Sequence, residues 1–273
     1  MNQTTTDARK LRYTIVGIVL LAFMLFPVYW MVNVSLQGGG TAANSSFFPT
    51  SVTFDGYQRA WEDQTGNLVT SMIVALGAVL VSLAIATPAA YALSRFRLRG
   101  MGIFLFVLLL AQMIPGIVIA NSLYTLFNDL GLLNTYVGLI LANATHGIPF
   151  AILIMSAFMR SIPPALTEAA RVDGAGHFRA FWSIIVPVSK NSLITAGLFS
   201  FLFAWSDFMF GLTLTTGADI KPITLGIYDY LQGNVQSWGP VMASAVISSI
   251  PAIVLLVLAQ RYIAAGALGG AVK

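Results

Sequence analysis

The sequence predicts an all-α integral membrane protein with six spanning helices and a cytoplasmic segment of two short helices. Three observations carry that prediction. Hydrophobic residues make up 57% of the chain and charged residues 9%, whereas roughly 25% of residues are charged in soluble domains. Six stretches are apolar over about the 20 residues that a helix needs to cross a bilayer. Lys and Arg gather in alternate connections between those stretches, which assigns these connections to one face. The net charge of +4 follows from those basic loops and does not call for nucleic acid. The chain has no cysteine, which excludes disulfides, thiolate metal sites and a Cys nucleophile.

The first span lies near Tyr13–Val34, behind a cytoplasmic N-terminus of residues 1–12 that carries Arg9, Lys10 and Arg12. No small-residue cleavage site accompanies it, so it is expected to stay in the mature chain. The outer segment from Gln37 to Gly66 opens on Gly38-Gly39-Gly40 and continues through Phe54, Tyr57, Trp61 and the acids Asp55, Glu62 and Asp63. A second span near Leu68–Leu93 leads to Arg95, Arg97 and Arg99 on the basic face. The third, near Gly102–Leu123, and the fourth, near Tyr136–Phe158, are joined by the short loop Asn128–Thr135, which makes them antiparallel neighbours. The fifth lies near Ser192–Thr215. An outer loop, Thr216–Trp238, follows with Asp219, Lys221 and Asp229, and its Tyr228, Tyr230 and Trp238 suit an interfacial aromatic belt. The sixth is near Gly239–Ala264, and Arg261 and Lys273 close the chain on the basic face. The outer face holds only Arg59 and Lys221, so both termini are expected in the cytoplasm. The expected organisation is a transmembrane body, 13–266, and a cytoplasmic tail, 267–273. Pro27, Pro88, Pro115, Pro149 and Pro251 fall inside spans, where each removes a backbone hydrogen bond and kinks its helix. Kinks of this kind either shape the bundle or curve helices around a pathway.

The cytoplasmic loop 159–190 departs from its apolar surroundings. It carries Arg160, Glu168, Arg171, Asp173, Arg179 and Lys190. A helix from Leu166 or Thr167 to Val172 is expected to stop at Gly174 or Gly176, since glycine takes the left-handed conformation easily. A second helix, Phe178 to Ile185, is expected to end at Pro187. Such a knob on a membrane protein implies a partner in the cytoplasm.

Other chemistry is sparse. No G-x-x-x-x-G-K-[ST] phosphate loop is present. His146 and His177 are the only histidines, without a carboxylate cluster, so neither a metal site nor a catalytic set is suggested. Asp207 is the one acid inside a span, and a charge at that depth by default faces a cavity. It follows Trp205-Ser206, and an indole beside a hydroxyl and a carboxylate can hold a sugar ring by stacking and hydrogen bonding. The alternative is an Asp satisfied by backbone or water near the outer end. Gln112, Asn121, Tyr124 and Asn143 are further polar positions at membrane depth.

Glu168-Ala169-Ala170-x-x-Asp173-Gly174-Ala175, followed by Phe181 and Ile185-Val186-Pro187, resembles the EAA motif of importer-type ABC permeases. Nearly the whole chain is similar to the sugar-uptake permeases related to the second membrane subunit of the maltose transporter. The resemblance extends over Gln112-Met113-Ile114-Pro115, Leu130-Gly131-Leu132, Trp205-x-Asp207-Phe208 and the ending Gln260-Arg261 with Gly270-Ala271-Val272-Lys273. Ser206 stands where the family often has Asn, and Asn191 where it often has Pro. The resemblance implies a type I importer transmembrane fold in the inner membrane and a subunit that is not itself an enzyme. It also implies four kinds of partner: a homologous second permease, two copies of a cytoplasmic ATPase holding ATP and Mg, an extracytoplasmic sugar-binding protein, and the lipid bilayer. Glu168, Ala169, Ala170, Asp173, Gly174, Ala175, Phe178 and Pro187 would then meet the ATPase. Trp205, Asp207, Gln112, Asn121 and Tyr124 would lie along the sugar pathway. Gln232, Gly233 and Asn234 would contact the binding protein, and Gly270 and Lys273 would reach between the ATPases. Rival readings are less well supported. A secondary transporter would be expected to show inverted repeats or paired intramembrane charges. An intramembrane enzyme lacks its catalytic set, and a purely structural subunit leaves the knob unexplained.

Overall fold

The structure is a computed structural model that describes residues 3–38, 45–49, 51–96, 99–217, 220–232 and 237–271, with side chains described between 9 and 262. Among them every regular element is helical, and the only strand pairing is an isolated antiparallel bridge between Gln37 and Val52. Four helices contain stretches long and apolar enough to cross a membrane: α1 (Gln3–Ser35), α2 (Asp55–Arg95), α5 (Tyr136–Ser161) and α12 (Trp238–Ala271). Two bent helix pairs are together long and apolar enough for a broken span or a re-entrant loop. α3 (Met101–Ala111) meets α4 (Gly116–Asp129) at 93°, and the helical run His177–Val188 meets α9 (Lys190–Trp205) at 75°. With each pair taken as one span, the count is the six that the sequence predicts.

The first break has a local cause. Pro115 disfavours a helical conformation in the residue before it and has no N–H to donate. It sits at φ −58°, ψ 134°, outside both helices, while Gln112 and Met113 close the end of α3 by i→i−3 bonds to Leu109 and Leu110. Pro27, Pro88, Pro149 and Pro251 instead lie inside continuous helices. The predicted fifth span also ends earlier than expected. α9 stops at Trp205, and α10 (Met209–Leu214) begins after an irregular turn that contains Asp207.

α2 corrects the N-terminal boundary of the second span. Residues 55–66, read as loop, are helical. Gly56, Ala60 and Gln64 are buried at a spacing of four, and Asp55 in the first turn complements the helix dipole. The buried stripe is written in small and polar residues, so hydropathy does not register it.

The chain divides into two compact units, 1–65 with 227–249 and 66–226 with 250–273. In the first, residues 45–49 fold back on the end of α1. The Gln37 amide accepts from Ser46 N–H at 2.9 Å and donates to its carbonyl at 2.8 Å, and Asn33 donates to the same carbonyl at 2.8 Å. Phe47 closes over Phe26, Tyr29 and Trp30. The rest of α1 leaves its apolar side chains from Leu11 to Val28 exposed, as suits a helix whose neighbour is lipid or another subunit.

In the second unit, α2, α5 and α9 pack around small residues. Ala86, Ala90, Ala151 and Ala196 are fully buried, and small side chains let membrane helices approach closely. Phe150 of α5 lies against Phe199 and Phe203 of α9, with ring centroids 5.0 and 5.2 Å apart. A second cluster joins Val74, Ala120, Phe127, Leu139, Ala142, Phe210 and Leu214. The loop between α4 and α5 is held by Asn134, whose φ is 57°. Its N–H donates to the Leu214 carbonyl at 3.0 Å, and its amide bonds Thr216 Oγ1 at 3.1 Å and Gly217 N–H at 2.7 Å.

Candidate functional site

The polar loop forms two short helical pieces around one glycine. α6 spans Ala165–Val172 behind Pro163-Pro164. It ends in a Schellman motif: Ala175 N–H donates to the Ala170 carbonyl at 2.8 Å, and Gly174 N–H to Arg171 at 3.1 Å. Gly174 has φ +80°, the left-handed conformation that the motif requires. α7 (His177–Ala180) then continues into a π-helical turn, Phe181–Ile185, and α8 (Val186–Val188).

Pro187 does not end this second helix, contrary to the sequence expectation. The Val186 N–H reaches back five residues to the Phe181 carbonyl, so the turn is widened by one residue. Pro187 then enters the first turn of α8, where a missing N–H costs little. The chain turns at Ser189 instead.

One side of the segment is anchored. Ala170, Ala180, Phe181 and Ile185 are buried, and Phe181 lies 5.0 Å from the Tyr91 ring of α2. The other side is bare. Val172 is 87% exposed and Phe178 77% exposed, and Glu168, Ala169, Asp173 and Gly174 are exposed with them. The Cβ that Gly174 lacks would meet nothing within 4 Å. An apolar groove of about 670 Å³ runs between α2 and this segment, past Pro88, Tyr91, His177, Phe178 and Trp182.

A second site lies at the other break. The Asp207 carboxylate accepts from the N–H groups of Phe210 at 3.3 Å and Gly211 at 3.2 Å, and so caps α10. The Asp207 carbonyl accepts from Thr224 Oγ1 at 2.6 Å. Asp207 also lines a cavity of about 180 Å³ with Asn143, His146, Ser206 and Phe210. Asp207 thus has backbone partners on one side and a cavity on the other.

Trp205 does not join it. Its indole is buried and stacks on Phe201 at 5.4 Å, outside the cavity wall. Gln112 sits at the α3–α4 bend, and Asn121 and Tyr124 lie exposed on α4, also outside that wall. Asn143, a polar position at membrane depth in the sequence, lines the cavity, and so does His146, which is not counted among the pathway residues. Their spacing of three on α5, one helical turn, was the available signal.

Gln232 ends α11 (Ile223–Gln232). Nearby in the chain, Tyr230 donates to Asp63 Oδ2 at 2.7 Å. Burial pushes the Tyr230 phenol above its ordinary value, and the bond to Asp63 adds to the shift. Gly233, Asn234 and Lys273 lie outside the described residues, and Gly270 falls in the last turn of α12.

The chain matches the family described as "Binding-protein-dependent transport system inner membrane component" over residues 78–268. It is 32% identical to a trehalose transport system permease protein of Mycobacterium tuberculosis, over 97% of this chain and 99% of that one. It is 33% identical to a trehalose/maltose transport system permease protein of Thermococcus litoralis, over 95% of each. Among solved structures, a bacterial ABC transporter involved in the import of the acidic polysaccharide alginate superposes with a TM-score of 0.79. That match has 23% identity and covers 96% of this chain and 98% of the other. The chain thus has the transmembrane fold of an ABC importer and belongs to the family of binding-protein-dependent transport system inner membrane components.

Proposed function

We propose that this chain is a permease subunit of an ATP-driven importer that moves a sugar, a disaccharide or an oligosaccharide, across the cytoplasmic membrane. The names of its relatives support a sugar cargo. The single observation that carries the coupling is the glycine-capped segment 165–188, anchored on Phe181 and Ile185 and bare at Val172 and Phe178. Exposed apolar side chains among charges are the composition of a docking surface. The occupant is a cytoplasmic ATPase, present in two copies and holding ATP and Mg, since this chain has no phosphate loop of its own. A homologous permease completes the membrane part, and an extracytoplasmic binding protein delivers the sugar. Both termini are cytoplasmic. Closure of the ATPases moves the anchored segment as a rigid body and shifts the spans between inward- and outward-open states. Asp207, Asn143 and His146 line the sugar's path at the α9–α10 break.

The test is co-purification of the ATPase, together with uptake into vesicles, for Glu168→Lys and Gly174→Asp. Both variants are expected to insert normally, lose the ATPase and stop uptake. Wild-type ATPase binding and uptake in both would remove the basis for the coupling role.

A further inference from the structure

Arg95 is the last residue of α2, and one of its nitrogens is committed. Nη1 donates to the Ile162 carbonyl at 3.0 Å. Ile162 is buried and is the C-terminal cap of α5, immediately before Pro163-Pro164 and α6. Its carbonyl belongs to a helix end that has no intrahelical donors. The bond therefore ties the end of one span to the root of the segment that follows another. Tyr91 and Leu93 of α2 share a core cluster with Ile162, Phe181 and Ile185, so the tie sits against the anchored side of that segment.

The rest of the guanidinium is unusual. Nε and Nη2 are inaccessible to water and have no hydrogen-bond partner among the described residues. These two nitrogens form the side-on edge of an arginine, the parallel fork that fits a carboxylate, a phosphate or paired carbonyls. A buried donor without an acceptor is costly, and more so on a charged group. A buried group left unpartnered calls for an explanation, and an acceptor supplied in another conformational state is one.

We propose that Arg95 is a positioning residue that links α2 to the coupling segment, and that its side-on edge finds an acceptor in the other transport state. The anchoring half of this statement rests on this chain alone. The coupling half rests on the importer reading above.

Lysine separates the two halves. Arg95→Lys keeps the charge and one donor for the Ile162 carbonyl but has no planar fork. Arg95→Ala keeps neither. Backbone hydrogen exchange of the purified chain in nanodiscs reads the first half. In Arg95→Ala the amides of 165–175 are expected to exchange about tenfold faster, because a hydrogen bond to a charged group is lost, while those of α9 are unchanged. In Arg95→Lys they keep their protection.

Sugar uptake per ATP hydrolysed, in the reconstituted complex, reads the second half. It is expected to fall about tenfold in both variants, the size of effect that loss of a charged hydrogen bond permits. Unchanged exchange in Arg95→Ala overturns the anchoring role. A wild-type ratio in Arg95→Lys overturns the use of the fork. A wild-type chain that recruits no ATPase defeats the importer reading instead, and the exchange data still decide whether Arg95 positions the segment.

Discussion

The Asp207 carboxylate holds two amides of α10 and faces the cavity that contains Asn143 and His146. Its two roles separate by substitution. Asp207→Ala removes the cap and should cost about 1 kcal/mol of stability. Asp207→Asn keeps an acceptor for the amides and removes the charge. We predict that Asp207→Asn melts close to the wild type yet takes up sugar more slowly, measured as thermal denaturation in detergent and as vesicle uptake. Normal uptake by Asp207→Asn, with a loss confined to the alanine variant, would assign the residue to the fold alone. Gly174 permits a similar separation. A side chain at φ +80° costs on the order of 1 kcal/mol, and no atom of this chain lies where the Cβ would go. Gly174→Ala should therefore shift the melting of the isolated chain only slightly. A large drop in ATPase co-purification from the same variant would come from a clash with the partner.

Helices of the second unit meet closely at Gly147. A Cβ there would lie 2.4 Å from Ser82 Oγ and 3.1 Å from Ser200 Oγ, so α2, α5 and α9 converge on the space that glycine leaves. Neither hydroxyl has a hydrogen-bond partner among the described residues, and both lie in the space a Cβ on residue 147 would take. We predict that Gly147→Ala destabilises the protein by about 1–3 kcal/mol, the range for overpacking. Ser82→Ala alone should be nearly neutral, and combined with Gly147→Ala it should recover most of the loss. Additive effects in the double variant, read by thermal denaturation, would show that the two sites do not share this space. The bent pairs raise a different point at the same scale. Pro115 breaks a span, whereas Pro88 and Pro149 do not. The widened turn Phe181–Ile185 absorbs Pro187 and moves the bend to Ser189. A proline fixes the absence of one N–H. Whether the helix continues depends on the geometry around it.

For the whole molecule, the distribution of Lys and Arg gives a testable orientation. The chain has no cysteine, so single cysteines report without background. Gln37→Cys and Gly217→Cys are predicted to react with an impermeant maleimide added outside intact cells. Gly174→Cys is predicted to react only after the membrane is opened. Labelling of Gly174→Cys from outside would invert the topology and detach the coupling segment from any cytoplasmic ATPase.

Membrane spans, basic-face asymmetry and the glycine stop of α6 were legible because each rests on local composition. A bilayer demands about 20 apolar residues wherever a helix crosses, and a Schellman end demands a residue that tolerates positive φ. The motif around Glu168 and Gly174 was therefore readable to within a residue or two, and α6 ends where expected. Other features depended on neighbours distant in the chain. The helical start of α2 is buried through Gly56, Ala60 and Gln64, whose burial is set by packing and not by hydropathy. Trp205 and Asp207 are two residues apart, yet one stacks on Phe201 and the other caps α10, because the helix ends between them. Asn134 and Arg95 gave no local sign of their roles, since their partners at 214–217 and Ile162 are brought to them only by the fold. Sequence alone determined which segments are apolar enough to cross a membrane and which stretch departs from them, because solvent imposes those requirements residue by residue. The tertiary structure decided where the helices break and which polar groups share a cavity, because those outcomes depend on which side chains and carbonyls the packing places opposite one another.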